Sequence, residues 1–407
     1  MSGLPFRRGP TILYRVRIAH LADPHLGIRQ YHRQTAGGIN QREHDVANAF
    51  RAAVDGVIAE RPELVVVAGD LFHSVRPGNA SIIFAFRQFQ RLLRALPETP
   101  VVLIAGNHDT PRSAETGSIF GLFEDMGVRV ATTEARRFEF PELDLSLLAV
   151  PHQALVSGER PALRPEGGAR RQVLVLHGDI EGVIPATPGV QEYGGAVVTP
   201  TELGADQWSY VALGHYHVQR EVAPRSWYAG SLDYVSSNPW GELREERSRN
   251  IEGKGWLLVD PDSGSVERRL LPSPRRFLDL EPIAGSGLGP AELDAAIAAR
   301  LASVPGGVGA TVLRLVVRDV PRHVARSLDH SAIRALRAEA LHLQLDIRRP
   351  EVTRQVGMGA PGRRQTLPNL VEHYLEKRAL PAELDRREFV ALGVELVETA
   401  ERELASG

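Results

Sequence analysis

The chain contains no cysteine, which excludes disulfides, thiolate metal sites, iron–sulfur clusters and cysteine nucleophiles. Lysine is nearly absent: of 48 basic residues only Lys254 and Lys377 are lysine, so any fixed positive surface must be built from arginine. Long apolar runs are also missing. The longest, such as 64–68 and 101–105, cover about five residues, whereas a membrane span needs roughly 20. The first ten residues hold an arginine pair with no apolar segment behind it, so neither a signal peptide nor a twin-arginine export signal is expected. A cytoplasmic protein with no membrane association follows as the expectation. Neither charge sign dominates: 48 basic and 50 acidic residues give a net charge of −2. That balance excludes a uniformly basic nucleic-acid coat but permits a local basic groove.

What the chain does have is length and histidine. Its 407 residues, 43% hydrophobic, suffice for two to four compact domains with at least one substantial core. With 14 histidines and no thiol, any metal must be held by nitrogen and oxygen.

Up to about residue 260 the pattern alternates between strand and helix. Short apolar runs at 16–20, 64–68 and 101–105 read as buried strands, and the periodic stretches 42–60 and 80–96 read as amphipathic helices. From 136 to 150 and again from 210 to 271 strands dominate, which predicts a second sheet packed on the first. A boundary follows near 271–276. Beyond it, 277–349 reads as a small α+β module, 348–364 as a flexible basic linker, and 367–378 with 386–404 as a helical hairpin. The hairpin carries one apolar stripe per helix (Leu370, Tyr374, Leu375; Phe389, Leu392, Leu396, Val397) and cannot bury both alone, so it is expected to dock on something.

Five segments carry the chemistry: Asp23-Pro-His25, Gly69-Asp70-Leu-Phe-His73, Gly106-Asn107-His108-Asp109, His177-Gly-Asp179 and Gly214-His215-Tyr-His217. Each lies at the end of a predicted strand, the edge where open α/β sheets collect ligands. A buried carboxylate at a strand tip, as at Asp70, is costly unless paired or metal-bound. Singly, each histidine reads as well as a surface or packing residue. Jointly, five clusters at five strand ends point to a nitrogen–oxygen metal site.

The ordered set D-x-H, G-D-x-x-H, G-N-H-D, H-G and G-H-x-H resembles the calcineurin-like metallophosphoesterases. His73, in place of the aspartate of many phosphatases, is similar to the SbcD-type DNA repair nucleases. So are Tyr228-Ala-Gly-Ser231 and Glu252-Gly-Lys-Gly-Trp256. The resemblance implies an α/β fold, a two-sheet α/β/β/α sandwich with a small capping domain and a C-terminal helical hairpin. The implied organisation is an N-terminal extension (1–14), a nuclease domain (15–272), a capping domain (273–349), a basic linker (350–364) and a hairpin (365–407) docking an SbcC-like SMC-type ATPase. No role is assigned to 1–14 or to 238–250.

The resemblance further implies two divalent cations about 3.5–4 Å apart, activating water for in-line attack on phosphorus. One would take Asp23, His25 and His217, the other Asn107, His177 and His215, with Asp70 bridging both. Mn²⁺ suits this ligand set, with Fe²⁺ and Zn²⁺ as alternatives. His108 is the implied proton donor and His73 the implied orienter of the phosphate or DNA end. Asp109 either fixes the His108 tautomer or caps the turn. Asp179 reads as structural support for its neighbours. Arg76, Arg112, Arg275 and Arg276 are candidate DNA-backbone contacts, against a plain solvated-face reading. The implied function is a DNA exonuclease on duplex ends and endonuclease on single strands or hairpins, acting as a homodimer. The candidate dimer helix is 80–96, if Phe84, Phe86 and Phe89 form an exposed cluster; the alternative is that all three are core residues. The alternative function is a small-nucleotide phosphodiesterase or phosphatase.

Overall fold

Short apolar runs fold as fully buried strands: Leu64–Ala68, Val101–Ile104, Leu145–Val150 and Tyr210–Gly214. The computed structural model describes residues 15–110, 118–183, 195–251, 253–350, 366–378, 380 and 385–406. Arg112, Glu252 and the 1–14 and 351–364 segments lie outside them.

One six-stranded sheet has the order Ser265–Leu270, Gly255–Asp260, Ile18–Leu21, Leu64–Ala68, Val101–Ile104, Arg129–Ala131. The other has the order Arg220–Ala223, Ser226–Tyr228, Tyr210–Gly214, Arg171–His177, Leu145–Val150, Arg136–Phe140. Alternation along a strand sends successive side chains to opposite faces. Leu64, Val66 and Ala68 thus meet Val173, Val175 and Tyr210 between the sheets, while Val65 and Val67 face Phe50 and Phe89 of the outer helices. Leu174, Leu176, Val211 and Leu213 are covered on the far side by Leu155, Leu203 and Trp208. The result is an α/β/β/α sandwich.

Helix Gln41–Glu60 begins where the Asn40 side chain accepts from the Arg42 and Glu43 amides, and it buries Val46, Ala49, Phe50, Ala53 and Val57. Helix Asn79–Ala95 buries Ala85, Phe89 and Leu92. Phe89 therefore does not belong to an exposed aromatic cluster. It is 1% exposed and packs at 4.9 Å between ring centroids on Phe123. Phe84 and Phe86 are half-buried on the same helix.

The strand-dominated reading of 210–271 needs a second correction. Helix Pro239–Ser248 interrupts it. Its pattern was hidden because its buried positions include Glu242 and Glu246 rather than apolar residues alone.

Residues 277–347 form a smaller sheet around central strand Val312–Arg318, paired in parallel with Phe277–Asp279, Ile283–Ala284 and His342–Ile347. Helices Pro290–Ala302 and His330–Glu339 complete its core through Leu293, Ile297 and Ile333. This module stays within the first of two compact units, Met1–Arg349. Tyr234, Trp240 and Leu243 share a small core with Phe277 and Val312, and Tyr31 stacks on His342.

The second unit, Pro350–Gly407, contains helices Leu367–Glu376 and Arg386–Ser406. Leu370, Tyr374, Leu392 and Leu396 are each at least half exposed. Among the described residues no helix is long and apolar enough to cross a membrane.

Replacing Phe89 with alanine should cost about 3–5 kcal/mol by the combined loss of transfer energy and opening of a cavity. Phe86→Ala should cost less than half of that. Urea denaturation of the full chain measures both, and equal losses would contradict the burial difference.

Candidate metal centre

Parallel pairing places the C-terminal ends of Ile18–Leu21, Leu64–Ala68 and Val101–Ile104 on one edge of the first sheet. Arg171–His177 and Tyr210–Gly214 do the same in the second. All five motifs meet there. Asp23, His25, Asp70 and His177 are fully buried, and His215 and His217 are 3% and 5% exposed. His73, Asn107 and His108 are half-buried at the rim.

The turns that deliver these side chains are strained. Asp23, His25, Asp70 and His215 all have positive φ, at 51°, 48°, 50° and 101°. Such conformations cost of order 1–3 kcal/mol each outside glycine and persist where surroundings over-determine them. Two glycines are required by close approach. A Cβ on Gly106 would lie 2.1 Å from Asp70 Oδ1, and one on Gly69 would lie 2.2 Å from His177 Nδ1.

Among the described residues the candidate donor atoms form three groups: Asp23, His25 and His217; Asp70, His177 and His215; and, at the rim, His25 again with His73 and His108. The first two are the buried ones. His25 Nε2 lies 3.2 Å from His217 Nε2 and 3.7 Å from Asp70 Oδ2. His177 Nε2 lies 3.3 Å from Asp70 Oδ2 and 3.0 Å from Asn107 Oδ1, which is also 3.1 Å from His215 Nδ1. Asp70 Oδ2 therefore stands between the two buried groups.

These residues fit cations. His177 Nδ1–H donates to the Ala68 carbonyl at 2.8 Å, so its Nε2 lone pair points at two further acceptors. Asp70 Oδ2 is buried and makes no hydrogen bond unless an imidazole carries a second proton. Lone pairs spaced by 3.0–3.3 Å match donors around one ion with bonds of about 2.0–2.2 Å. Without metal, burial pushes His177 down, but the Asp70 and Asp23 carboxylates outweigh it and raise the imidazole to about 10. Burial likewise opposes ionisation of Asp70, yet His177, His25 and His108 hold it well below the usual carboxylate range.

The neighbours set orientation. The His215 backbone amide donates to both Asp23 carboxylate oxygens at 3.1 Å, and Asp179 Oδ1 lies 3.4 Å from His215 Nε2. His73 Nδ1 is 3.3 Å from His25 Nδ1, so His73 steadies a ligand as well as lining the rim. His108 Nδ1 donates to the His73 carbonyl at 2.9 Å, and the His108 amide donates to Asp70 Oδ1 at 2.9 Å. It is thus the His73 carbonyl, not Asp109, that the His108 ring addresses. Asp109 accepts from the Leu71, Phe72 and Gly106 amides and locks two motif turns together. Burial and the Asp70 charge push Asp109 up to about 7, against those three amides.

The arginines separate. Arg76 is exposed, three residues after His73 in sequence. Arg275 pairs at 3.0 Å with the buried Asp45, and Arg276 donates to the Pro305 and Gly307 carbonyls. Both of the latter bind the protein itself.

The sequence reading assigned nothing to Glu242 and Glu246 and quoted Lys254 only within the Glu252–Trp256 motif, without a role; all three lie directly behind His217. Asn238-Pro239 was a legible helix start, and Glu242 and Glu246 stand one turn apart facing a rare lysine.

A family model for calcineurin-like phosphoesterases matches residues 16–219. Relatives named "DNA double-strand break repair protein Mre11" include those of Sulfurisphaera tokodaii, Methanococcus maripaludis and Thermoplasma acidophilum. They are 29%, 28% and 27% identical to this chain over 60%, 60% and 61% of its length. The chain spans 60–63% of the length of these relatives.

In the metal-free protein the His177 imidazolium contributes stability that is fully present below the unfolded value of 6.5 and is lost as pH rises through about 10. The melting temperature of chelator-treated protein should fall across that window, and His177→Gln should flatten the fall. Parallel slopes for both proteins would show that His177 does not carry the charge.

Proposed function

The chain belongs to the calcineurin-like phosphoesterase family, and from that premise we propose that it is a metal-dependent DNA phosphodiester hydrolase. In this reading it cuts as an exonuclease at duplex ends and as an endonuclease on single strands or hairpins. The observation that carries the hydrolase is Asp70 Oδ2 set between His177 Nε2 and His25 Nε2, a carboxylate shared by two donor groups. The DNA substrate is supported by the repair-protein names of the relatives and by His73 at the rim.

When bound, two cations supply Lewis acidity toward the phosphate oxygens and acidify the attacking water. Asp23, His25 and His217 would hold one, Asn107, His177 and His215 the other, and Asp70 both. An all-nitrogen-and-oxygen set favours Mn²⁺, with Fe²⁺ or Zn²⁺ as substitutes. The protein's own part is positional. The His73 carbonyl holds the His108 Nδ1–H, so His108 would act as an acid from its imidazolium form, giving the Nε2 proton to the leaving sugar oxygen and ending as the neutral Nδ1–H imidazole. The Asp109 clamp keeps the Asp70 and Asn107 turns in register. Arg76, exposed and three residues after His73, would meet a phosphate backbone; Arg112 is proposed on its sequence position.

The reading extends to assembly. The exposed apolar residues of the 367–406 hairpin would dock an SMC-type ATPase, and Ile83 with the half-buried Phe84 and Phe86 would join two copies.

His108→Ala should lower DNA cleavage by about 10²–10⁴-fold while two metal equivalents still bind. Asp70→Asn should lose metal and activity together. Assays on hairpin DNA, duplex ends, cyclic nucleotides and bis-p-nitrophenyl phosphate, with and without the co-purifying partner, decide the substrate. Turnover confined to the small esters would sink the DNA reading and leave the phosphodiesterase.

A further inference from the structure

Behind His217 lies a buried group of charges that the hydrolytic reading does not use. Glu242 Oε1 is 3.6 Å from His217 Nδ1, the ring nitrogen opposite the one facing His25. No hydrogen bond is closed at this distance, and Glu242 Oε1 has no hydrogen-bond partner of its own among the described residues; its negative charge beside Nδ1 favours the tautomer with hydrogen there, which leaves the Nε2 lone pair toward the donor group. Glu242 is in turn held by Lys254. The Lys254 ammonium pairs with Glu242 Oε2, with Glu246 Oε1 at 2.9 Å and with the His217 carbonyl at 2.8 Å. Three acceptors saturate its three N–H donors. Tyr234 closes the group, donating to Glu246 Oε2 at 2.6 Å while its ring receives Lys254 Nζ at 4.6 Å. Two carboxylates and one ammonium leave a net negative charge beneath the cation site.

Both carboxylates come from helix Pro239–Ser248, and the same helix reaches the small module. Trp240, 3% exposed, donates through Nε1 to Gln344 Oε1 at 2.6 Å, lies 5.4 Å from the Arg314 guanidinium, and packs in one core with Phe277 and Val312. One short helix therefore touches a metal ligand through Glu242 and the capping module through Trp240, two residues apart.

We propose that Glu242 is a positioning residue that fixes His217 for metal binding, and that the Trp240 anchor ties this positioning to the seating of the 277–347 module. The inference rests on the two-cation reading of the site. Its consequence is a link between module and metal: loosening the module frees the helix, frees His217, and weakens the cation held with Asp23 and His25, leaving the other in place.

The test is calorimetric titration of Mn²⁺ into the metal-stripped full chain, comparing wild type with Glu242→Gln, Glu242→Asp and Trp240→Ala. In Glu242→Gln one of two equivalents should weaken by about 10–100-fold, the usual effect of removing a partner of a ligating histidine. The other should hold, Glu242→Asp should recover most of the loss, and Trp240→Ala should weaken the same equivalent by a smaller factor. In wild type, Mn²⁺ should also slow amide hydrogen exchange in 239–248 and 342–347, a readout that needs no variant. Wild type with two equivalents but unchanged affinity in Glu242→Gln overturns this inference alone, as does exchange in 239–248 that ignores the metal. Both equivalents falling together in step with melting temperature would mark the cluster as merely structural and overturn it too. A wild type that binds no pair of cations removes the two-cation reading and this inference with it.

Discussion

Everything at the strand edge is arranged around one carboxylate oxygen. Asp70 Oδ2 is buried, and its neighbours are imidazole nitrogens at 3.3 and 3.7 Å. An isolated buried carboxylate is among the costlier things a fold can contain. Here the cost is offset locally by His177, whose second nitrogen is committed to the Ala68 carbonyl and which therefore must be charged or metal-bound to satisfy Asp70. The strained turns follow from the same demand. Asp70 takes its place at the strand end with positive φ, and Gly69 and Gly106 leave the space into which His177 and Asp70 press. Asp109 then holds the Leu71, Phe72 and Gly106 amides so that the turn cannot relax. Rigid strands, strained loops and a clamp all serve to place one oxygen.

That arrangement was legible where it depends on local pattern. The run Leu64–Ala68 is a strand with the expected ends, and the five motifs meet because each terminates a strand. Legibility failed where burial and polarity part company. Phe89 looked like its neighbours Phe84 and Phe86, but helical rotation turns it inward while leaving them partly outside. Helix Pro239–Ser248 escaped because hydrophobic periodicity cannot register a face whose buried groups are Glu242 and Glu246. Those carboxylates are inside only because Lys254, distant from them in the pattern, is inside too. The direction of Asp109 was similarly beyond reach. A carboxylate next to a histidine suggests a partner for it, and only the fold shows three amides claiming it first.

The net charge of −2 reads differently once the arginines are placed. Several are spent within the protein: Arg42 on Asp233 and the Tyr234 carbonyl, Arg171 on Asp262, Arg275 on Asp45 and Arg314 on Asp279. Arg42 is fully buried. Basic residues used this way cannot meet a phosphate, so counting them overstates the positive surface, and counting their partners overstates the negative one. A balanced total is therefore compatible with a locally basic surface, and it neither argues for nor against nucleic acid.

The scarcity of lysine becomes informative at one position. Where geometry permits, this chain uses guanidinium, a planar fork suited to paired oxygens, as in the Arg314–Asp279 pair. Behind His217, Glu242, Glu246 and the His217 carbonyl converge on the Lys254 ammonium, which also lies 4.6 Å from the Tyr234 ring. A compact ammonium with three donors meets all three acceptors from one point. Of the two lysines in the chain, Lys377 is exposed and Lys254 is buried, directly behind His217.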